Sequence, residues 1–196
     1  MPRPPEFERQ RALDAALKLF WCQGYTATSL SQLLEAMGIG RSSFYAAFGD
    51  KRSLFVECLE LFSQRTRDIL LDAWERHRSP AAIGEFFDQT LFQVPAHRAQ
   101  RGCLMVNTIL ELADVDPALS QLADRRLGEI ERSFAHCFRK SQASGLYPTD
   151  RTPEDLAACV MVINQGLRVA SRKRMPQAEL RRTVDTSLNL LGLAAA

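Results

Sequence analysis

The chain has 196 residues, 46% hydrophobic and 24% charged, with a formal net charge of +2. That balance is ordinary for a globular protein and supports a packed core rather than a disordered chain. No run approaches the ~18 consecutive apolar residues of a membrane span. The opening "MPRPPEFERQ" lacks the apolar stretch of a secretory signal, so no membrane partner and a cytoplasmic location are expected.

The periodicity is helical almost throughout, so the expected fold class is all-α, with about nine helices. Leu13, Ala16, Leu17 and Phe20 follow i, i+3, i+4, i+7 spacing and place a first helix from about Phe7 to Gly24. A capping box of Ser29 with Gln32 opens a second helix, with Thr28 as the alternative cap, and Gly38 ends it. A short third helix begins around Gly40 and turns Phe44 and Phe48 inward; Gly49-Asp50 then breaks the chain. Asp50 caps a long fourth helix, from about Lys51 to His77. Ser79-Pro80 opens a fifth helix that Pro95 ends, "AHRAQR" reads as a loop, and Gly102-Cys103 opens an apolar helix. Pro117 starts a helix reaching Gly145, "LYPTDRTP" links, and Pro153 and Pro176 start the last two helices. No strand pattern competes.

Three helices in the first 50 residues, with a short Gly-Ile-Gly turn between the second and third, describe a helix-turn-helix. Its expected core is Leu13, Leu17, Phe20, Leu30, Leu34, Ile39, Phe44 and Phe48. The N-terminal end of the third helix stays outside and carries Gly40, Arg41, Ser42 and Ser43. Small side chains let such a helix sink into a major groove about 12 Å wide, and an arginine can bond guanine in bidentate fashion. Tyr45 and Lys51 are placed to meet phosphates, and the amides opening the fourth helix offer another phosphate site. Charge agrees: residues 1–55 hold seven Lys/Arg against five Asp/Glu, and the rest of the chain is balanced.

The stretch "FWCQGYTATSLSQLLEAMGIGRSSFYAAFGDKRSLF" resembles the N-terminal module of TetR-type transcriptional regulators, through Phe20, Gly24, Thr28, Gly38, Phe44-Tyr45, Phe48, Lys51 and Leu54-Phe55. The resemblance covers residues 10–56. It implies a homodimeric repressor of a palindromic double-stranded operator, with a DNA-binding domain over residues 1–50 and a ligand-binding and dimerisation domain over residues 51–196. It implies base contacts from Arg41 and Ser42, with Ser31 and Ser43 as further candidates, and phosphate contacts from Thr28, Tyr45 and Lys51. Ala46 and Ala47 stand where the family often carries bulkier or polar residues, which places more of the sequence reading on Arg41.

The five cysteines stand singly, without a CxxC pair, and the three histidines are far apart, so no metal and no cofactor are expected. Cys103 is the distinctive thiol. It sits at a first helical turn two residues after Arg101, where amides and a cation favour thiolate. The "GCL-VN" string resembles a TetR-type branch that includes cysteine-based electrophile sensors; the alternative is a small buried core residue. The resemblance also supplies a pocket for an unidentified small-molecule inducer, for which Trp74, Phe87 and Met105 are candidate walls. The basic run at 172–182 reads as helix-terminal and solvated charge rather than a second DNA patch. Leu156, Val160, Ile163 and Leu167, then Val184, Leu188 and Leu191, form apolar faces that would pair across a two-fold axis. An enzyme built on Cys103, or a helical interaction module, are the competing classes. No nucleophile elbow, phosphate loop or carboxylate pair supports the former.

Overall fold

The structure is a computed structural model and describes residues 6–193, with side chains from residue 9 onward. The first five residues, on which much of the signal-peptide reading rests, and residues 194–196 lie outside the described residues. The helices are α1 (Glu6–Gln23), α2 (Leu30–Met37), α3 (Arg41–Phe48), α4 (Lys51–His77), α5 (Ala81–Phe87), α6 (Ala96–Ala99), α7 (Leu104–Leu112), α8 (Pro117–Ala143), α9 (Pro153–Arg172) and α10 (Gln177–Leu190). Nine of them have seven residues or more, and no strand occurs among the described residues. None of these helices is long and apolar enough to cross a membrane.

Two compact units emerge. The first comprises Met1–Ser63 with Leu104–Arg126, and the second Gln64–Cys103 with Leu127–Ala196. The unit that holds the reading helix is thus larger than its first 50 residues and is built from two separate stretches of chain.

In the first unit, local capping fixes where each helix starts and stops. Ser29 Oγ accepts from Gln32 N at 3.2 Å while Gln32 Oε1 accepts from Ser29 N at 2.8 Å, closing the expected capping box. Gly38 ends α2 in the left-handed region, at φ 65°. Asp50 Oδ1 accepts from Ser53 N at 2.6 Å at the start of α4. The core centres on Phe20, Phe44, Phe48, Leu54 and Phe55, with Phe20 edge-on to Phe55 at 4.8 Å. On α2 the buried pair is Leu33 and Met37, whereas Leu30, Leu34 and Ile39, expected in the core, are only partly covered. A helix of eight residues has room for one buried stripe, and a leucine-rich sequence offers two.

In the second unit, Phe86, Phe87, Phe134 and Phe138 are fully buried, with Phe86 edge-on to Phe134 at 5.1 Å. The expected fifth helix is shorter than its apolar pattern. α5 passes into a π turn at Asp88–Phe92, where the hydrogen-bond register widens by one residue. "AHRAQR", expected to be a loop, closes into the single turn of α6 after Pro95. Thr152 caps α9, its Oγ1 accepting from Asp155 N at 3.1 Å with Pro153 in the first turn.

The expected dimer residues require correction. Leu156, Val160 and Leu167 on α9, and Val184 and Leu188 on α10, are buried within the single chain, and Ile163 and Leu191 are partly covered. They share the stripe of α9 and α10 that faces the chain's own core, where burial of apolar area favours them. The outward face of α9 carries Ala158, Cys159, Val162, Gly166 and Val169, all exposed, with Val162 at 71%.

Candidate nucleic-acid interface and buried thiol

Helix α3 presents a bare N-terminus. Gly40 is its N-cap and has no side chain to bond the first amides, so the opening turn offers N–H groups outward. Arg41, Ser42 and Ser43 on that turn are all exposed, as is Ser31 on α2. Tyr45 is 48% exposed and stands edge-on to the buried Phe44 at 5.5 Å. One aromatic anchors the helix from behind and its neighbour faces out. Arg9 supports the far end of α3, bonding Ala47 O at 3.1 Å and Glu57 at 2.8 Å, with its guanidinium 4.6 Å from the Phe48 ring centre.

Two expected phosphate contacts are placed otherwise. Thr28 is 1% exposed, and its hydroxyl donates to Gly24 O at 2.6 Å, so it braces the turn between α1 and α2 from inside. At the start of α4, Asp50 accepts from Ser53 N, and its negative charge faces away any phosphate that would use that helix end. Those hydrogen bonds, from the Ser53 backbone first and its hydroxyl next, hold the Asp50 carboxyl below the usual carboxylate range. Lys51 lies with its ammonium 4.5 Å from the centre of the Tyr25 ring, and burial pulls its pKa down. Arg52 pairs with Asp116 at 3.2 Å. The structure thus brings Gly40, Arg41, Ser42, Ser43 and Tyr45 onto one exposed helix, with Ser31 exposed on α2, Lys51 half-buried and Thr28 inside.

Glu111 of α7 is a residue that sequence reading missed. Its carboxylate accepts from Tyr25 N at 3.0 Å and from Thr26 N at 2.7 Å, clamping the turn that follows α1. Gly24 is required there twice over. Its φ is +85°, and a Cβ would stand 2.5 Å from Glu111 Oε2. The one signal in the sequence was a single charged residue inside the largely apolar "LMVNTILELA".

In the second unit the candidate residues separate. Cys103 is 8% exposed and immediately precedes α7, after Gly102 at φ 74°. Trp74 and Phe87 are buried in this unit, while Met105 is buried in the other. An open cleft of about 480 Å³ in the second unit is lined by none of these; its walls include Gly84, Asp88, Arg181, Val184 and Leu188. Burial pushes the Cys58 thiol far up and the Cys137 thiol up to about 12, which makes both inert core residues. Near Cys103 the setting differs. Arg168 of α9 is only 9% exposed; its Nε donates to Asn164 Oδ1 at 3.2 Å and its Nη1 to Thr90 O at 2.9 Å. The i, i+4 pair Asn164–Arg168 lies inside the apolar run of α9, a polar interruption that an apolar periodicity masks.

An exposed, uncapped recognition helix on a braced three-helix core, followed by a second helical unit, defines a helix-turn-helix regulator. Residues 12–58 match the model of bacterial regulatory proteins of the tetR family, and residues 80–186 match the tetracyclin repressor-like C-terminal domain. The chain belongs to the tetR family: it is a DNA-binding transcriptional regulator and not an enzyme. It is 29% identical over 190 residues to the HTH-type transcriptional repressor ComR of Escherichia coli K12, covering 96% of this chain and 90% of the relative. A cysteine mutant of the regulator CifR, solved with a 26-bp double-strand operator DNA, superposes at a TM-score of 0.78 with 32% identity, covering 97% of this chain and all of CifR (100%). The reduced form of E. coli NemR shares the fold at a TM-score of 0.81 and 19% identity, covering 96% of this chain and 100% of NemR.

Proposed function

We propose that this chain is a homodimeric repressor that works in the cytoplasm and leaves a palindromic operator when a small ligand binds or when Cys103 is modified. One observation carries the reading: the uncapped start of α3, with Arg41, Ser42 and Ser43 exposed on its first turn. Arg41 reads a guanine in the major groove, and Ser42 and Ser43 let the helix approach the base edges. Ser31, exposed on α2, is a further base contact, Tyr45 bonds a phosphate beside the groove, and Lys51, tucked against Tyr25, adds charge behind it. Two copies join through the outward face of α9, around Val162 and Gly166, where small and apolar side chains allow close helix packing. The operator-bound CifR structure supports the DNA partner, and NemR, solved in a form described as reduced, supports a thiol as the responsive group.

The test is selection from a random duplex pool, with and without a thiol-modifying electrophile. A palindromic winner that the native chain releases on treatment, but that Cys103→Asp, which has no thiol to modify, retains, fits the reading. A palindrome indifferent to the electrophile leaves the repressor and transfers the trigger to a small ligand. No enrichment at all refutes the role given to α3. With ~8 phosphates neutralised, log affinity should fall against log salt with a slope of about −7.

A further inference from the structure

Arg168 is a buried cation whose acceptors, Asn164 Oδ1 and Thr90 O, are both neutral. Among the described residues no carboxylate pairs with it, whereas other arginines of the second unit are paired with acids, as Arg181 is with Asp88 and Arg139 with Glu154. A guanidinium keeps its charge even when desolvated, and a buried charge without an opposite charge is strongly unfavourable. The segment that carries Cys103 is tied to the same face of α9. Arg172, one turn beyond Arg168, donates from Nη1 to Arg101 O at 3.0 Å. Two opposed influences meet at Arg168: burial lowers its pKa, and the nearby Cys103 sulfur raises it. The cationic groups on the elements around Cys103 are His97 and Arg98 of α6, Arg101 before it, and Arg168 and Arg172 of α9. The acids on the same elements have partners of their own: Asp88 of the π turn is engaged by Arg181, Glu154 at the start of α9 by Arg139, Asp155 by the Thr152 hydroxyl, and Glu111 of α7 by the Tyr25 and Thr26 amides. The sulfur is therefore the group that can balance Arg168.

We propose that Cys103 and Arg168 form a buried thiolate–guanidinium pair, and that the chain responds to loss of that negative charge, which makes uncharged electrophiles the effective modifiers. This deepens the thiol-responsive reading above and rests on it. With an α,β-unsaturated carbonyl compound, the Cys103 sulfur adds to the β-carbon and a C–S bond forms. The π bond between the α- and β-carbons breaks, the α-carbon takes a proton from water, and hydroxide leaves with the charge. The product is a neutral thioether, and Arg168 is left without its counter-charge. The second unit must then repack or admit water. A modification that keeps a negative charge at this position leaves the balance intact. Arg168 is a positioning residue here, acting through the sulfur.

The decisive experiment compares Cys103→Asp with Cys103→Asn in the full-length protein by thermal melting, without DNA. The two side chains have nearly the same shape and differ in charge. In an ordinary buried site the aspartate is the less stable; beside Arg168 it should melt higher than the asparagine by roughly 2–4 °C. In an Arg168→Met background the order should reverse, and in Arg168→Lys it should be kept. Asparagine melting at or above aspartate with Arg168 present overturns the pair, whatever becomes of the Arg168 variants. A second measurement uses Cys22→Ser/Cys159→Ser protein alkylated at Cys103 with iodoacetamide or with iodoacetate, which leave adducts alike in size. The neutral adduct should lower the melting temperature and weaken operator binding more than the carboxylate adduct; equal effects overturn charge loss as the signal. Because melting needs no operator, failure of the pair is distinct from failure of the repressor reading.

Discussion

The two compact units use helices of the same kind and make their positions legible in opposite ways. In the first, short helices are bounded by side chains that act on the neighbouring backbone: Ser29 with Gln32, Asp50 with Ser53, Gly38 in the left-handed region. Such signals lie within four residues of one another, so a linear reading captures them. In the second unit the helices are apolar on more than one side, and the choice of inward face is made by distant partners. Val160 and Val162 are nearly adjacent in sequence, yet one is buried and the other 71% exposed. Capping chemistry is local and hydrophobic burial is not.

The sharpest way to break this contrast is on α9. Val162→Arg sets like charges against each other across the two-fold axis of the proposed dimer while leaving the folded chain intact. It should give monomers in sedimentation and lose about 10²–10⁴-fold in operator affinity, the contribution of binding two half-sites together. Val160→Arg, two residues away, should unfold the second unit. If the two variants behave alike, the assignment of faces is wrong.

The first unit is tested next at Gly24. Gly24→Ala imposes a left-handed conformation on a residue with a Cβ and drives that Cβ against Glu111. The expected loss is roughly 2–3 kcal/mol, from backbone strain and the disturbed hydrogen bonds to the carboxylate. Urea unfolding checks it, and Glu111→Ala combined with Gly24→Ala should cost less than the sum of the two. Arg41→Ala should leave unfolding unchanged and cost about 1–3 kcal/mol of operator binding, confined to one base position per half-site. Equal loss on every duplex would make Arg41 a phosphate anchor.

The smallest effect is at Asp50. Its folded pKa is depressed by hydrogen bonds from Ser53, so its contribution is present above its unfolded value near ~4 and is lost as pH falls through the lowered folded value. Acid titration of stability should show this loss in the native chain and a shallower one in Asp50→Asn.

These particulars also mark how far the sequence could be read. The helix-turn-helix, Asp50, and the division of labour between Phe44 and Tyr45 were legible because spacing alone sets them. Thr28 was misplaced as a phosphate contact because a threonine before a helix looks the same whether its hydroxyl faces a phosphate or Gly24 O. Leu30 and Leu34 were misplaced because three leucines on an eight-residue helix admit two stripes. Glu111 and Arg168 escaped because each acts on a partner more than 70 positions away, Tyr25 and Thr90 respectively.

The grip of Glu111 on the backbone at Tyr25 and Thr26 bears on modularity. A reading head that ended near residue 50 could be excised, or grafted onto a foreign effector domain, without penalty. Here one of its turns is finished by a carboxylate supplied some 85 residues downstream. A chimera cut at the start of α4 would leave two backbone amides facing water, unless the recipient brings an acid of its own to the same point. In this chain, exchange of operator specificity between relatives therefore has to carry two segments together, the head and the stretch around Glu111 that completes it.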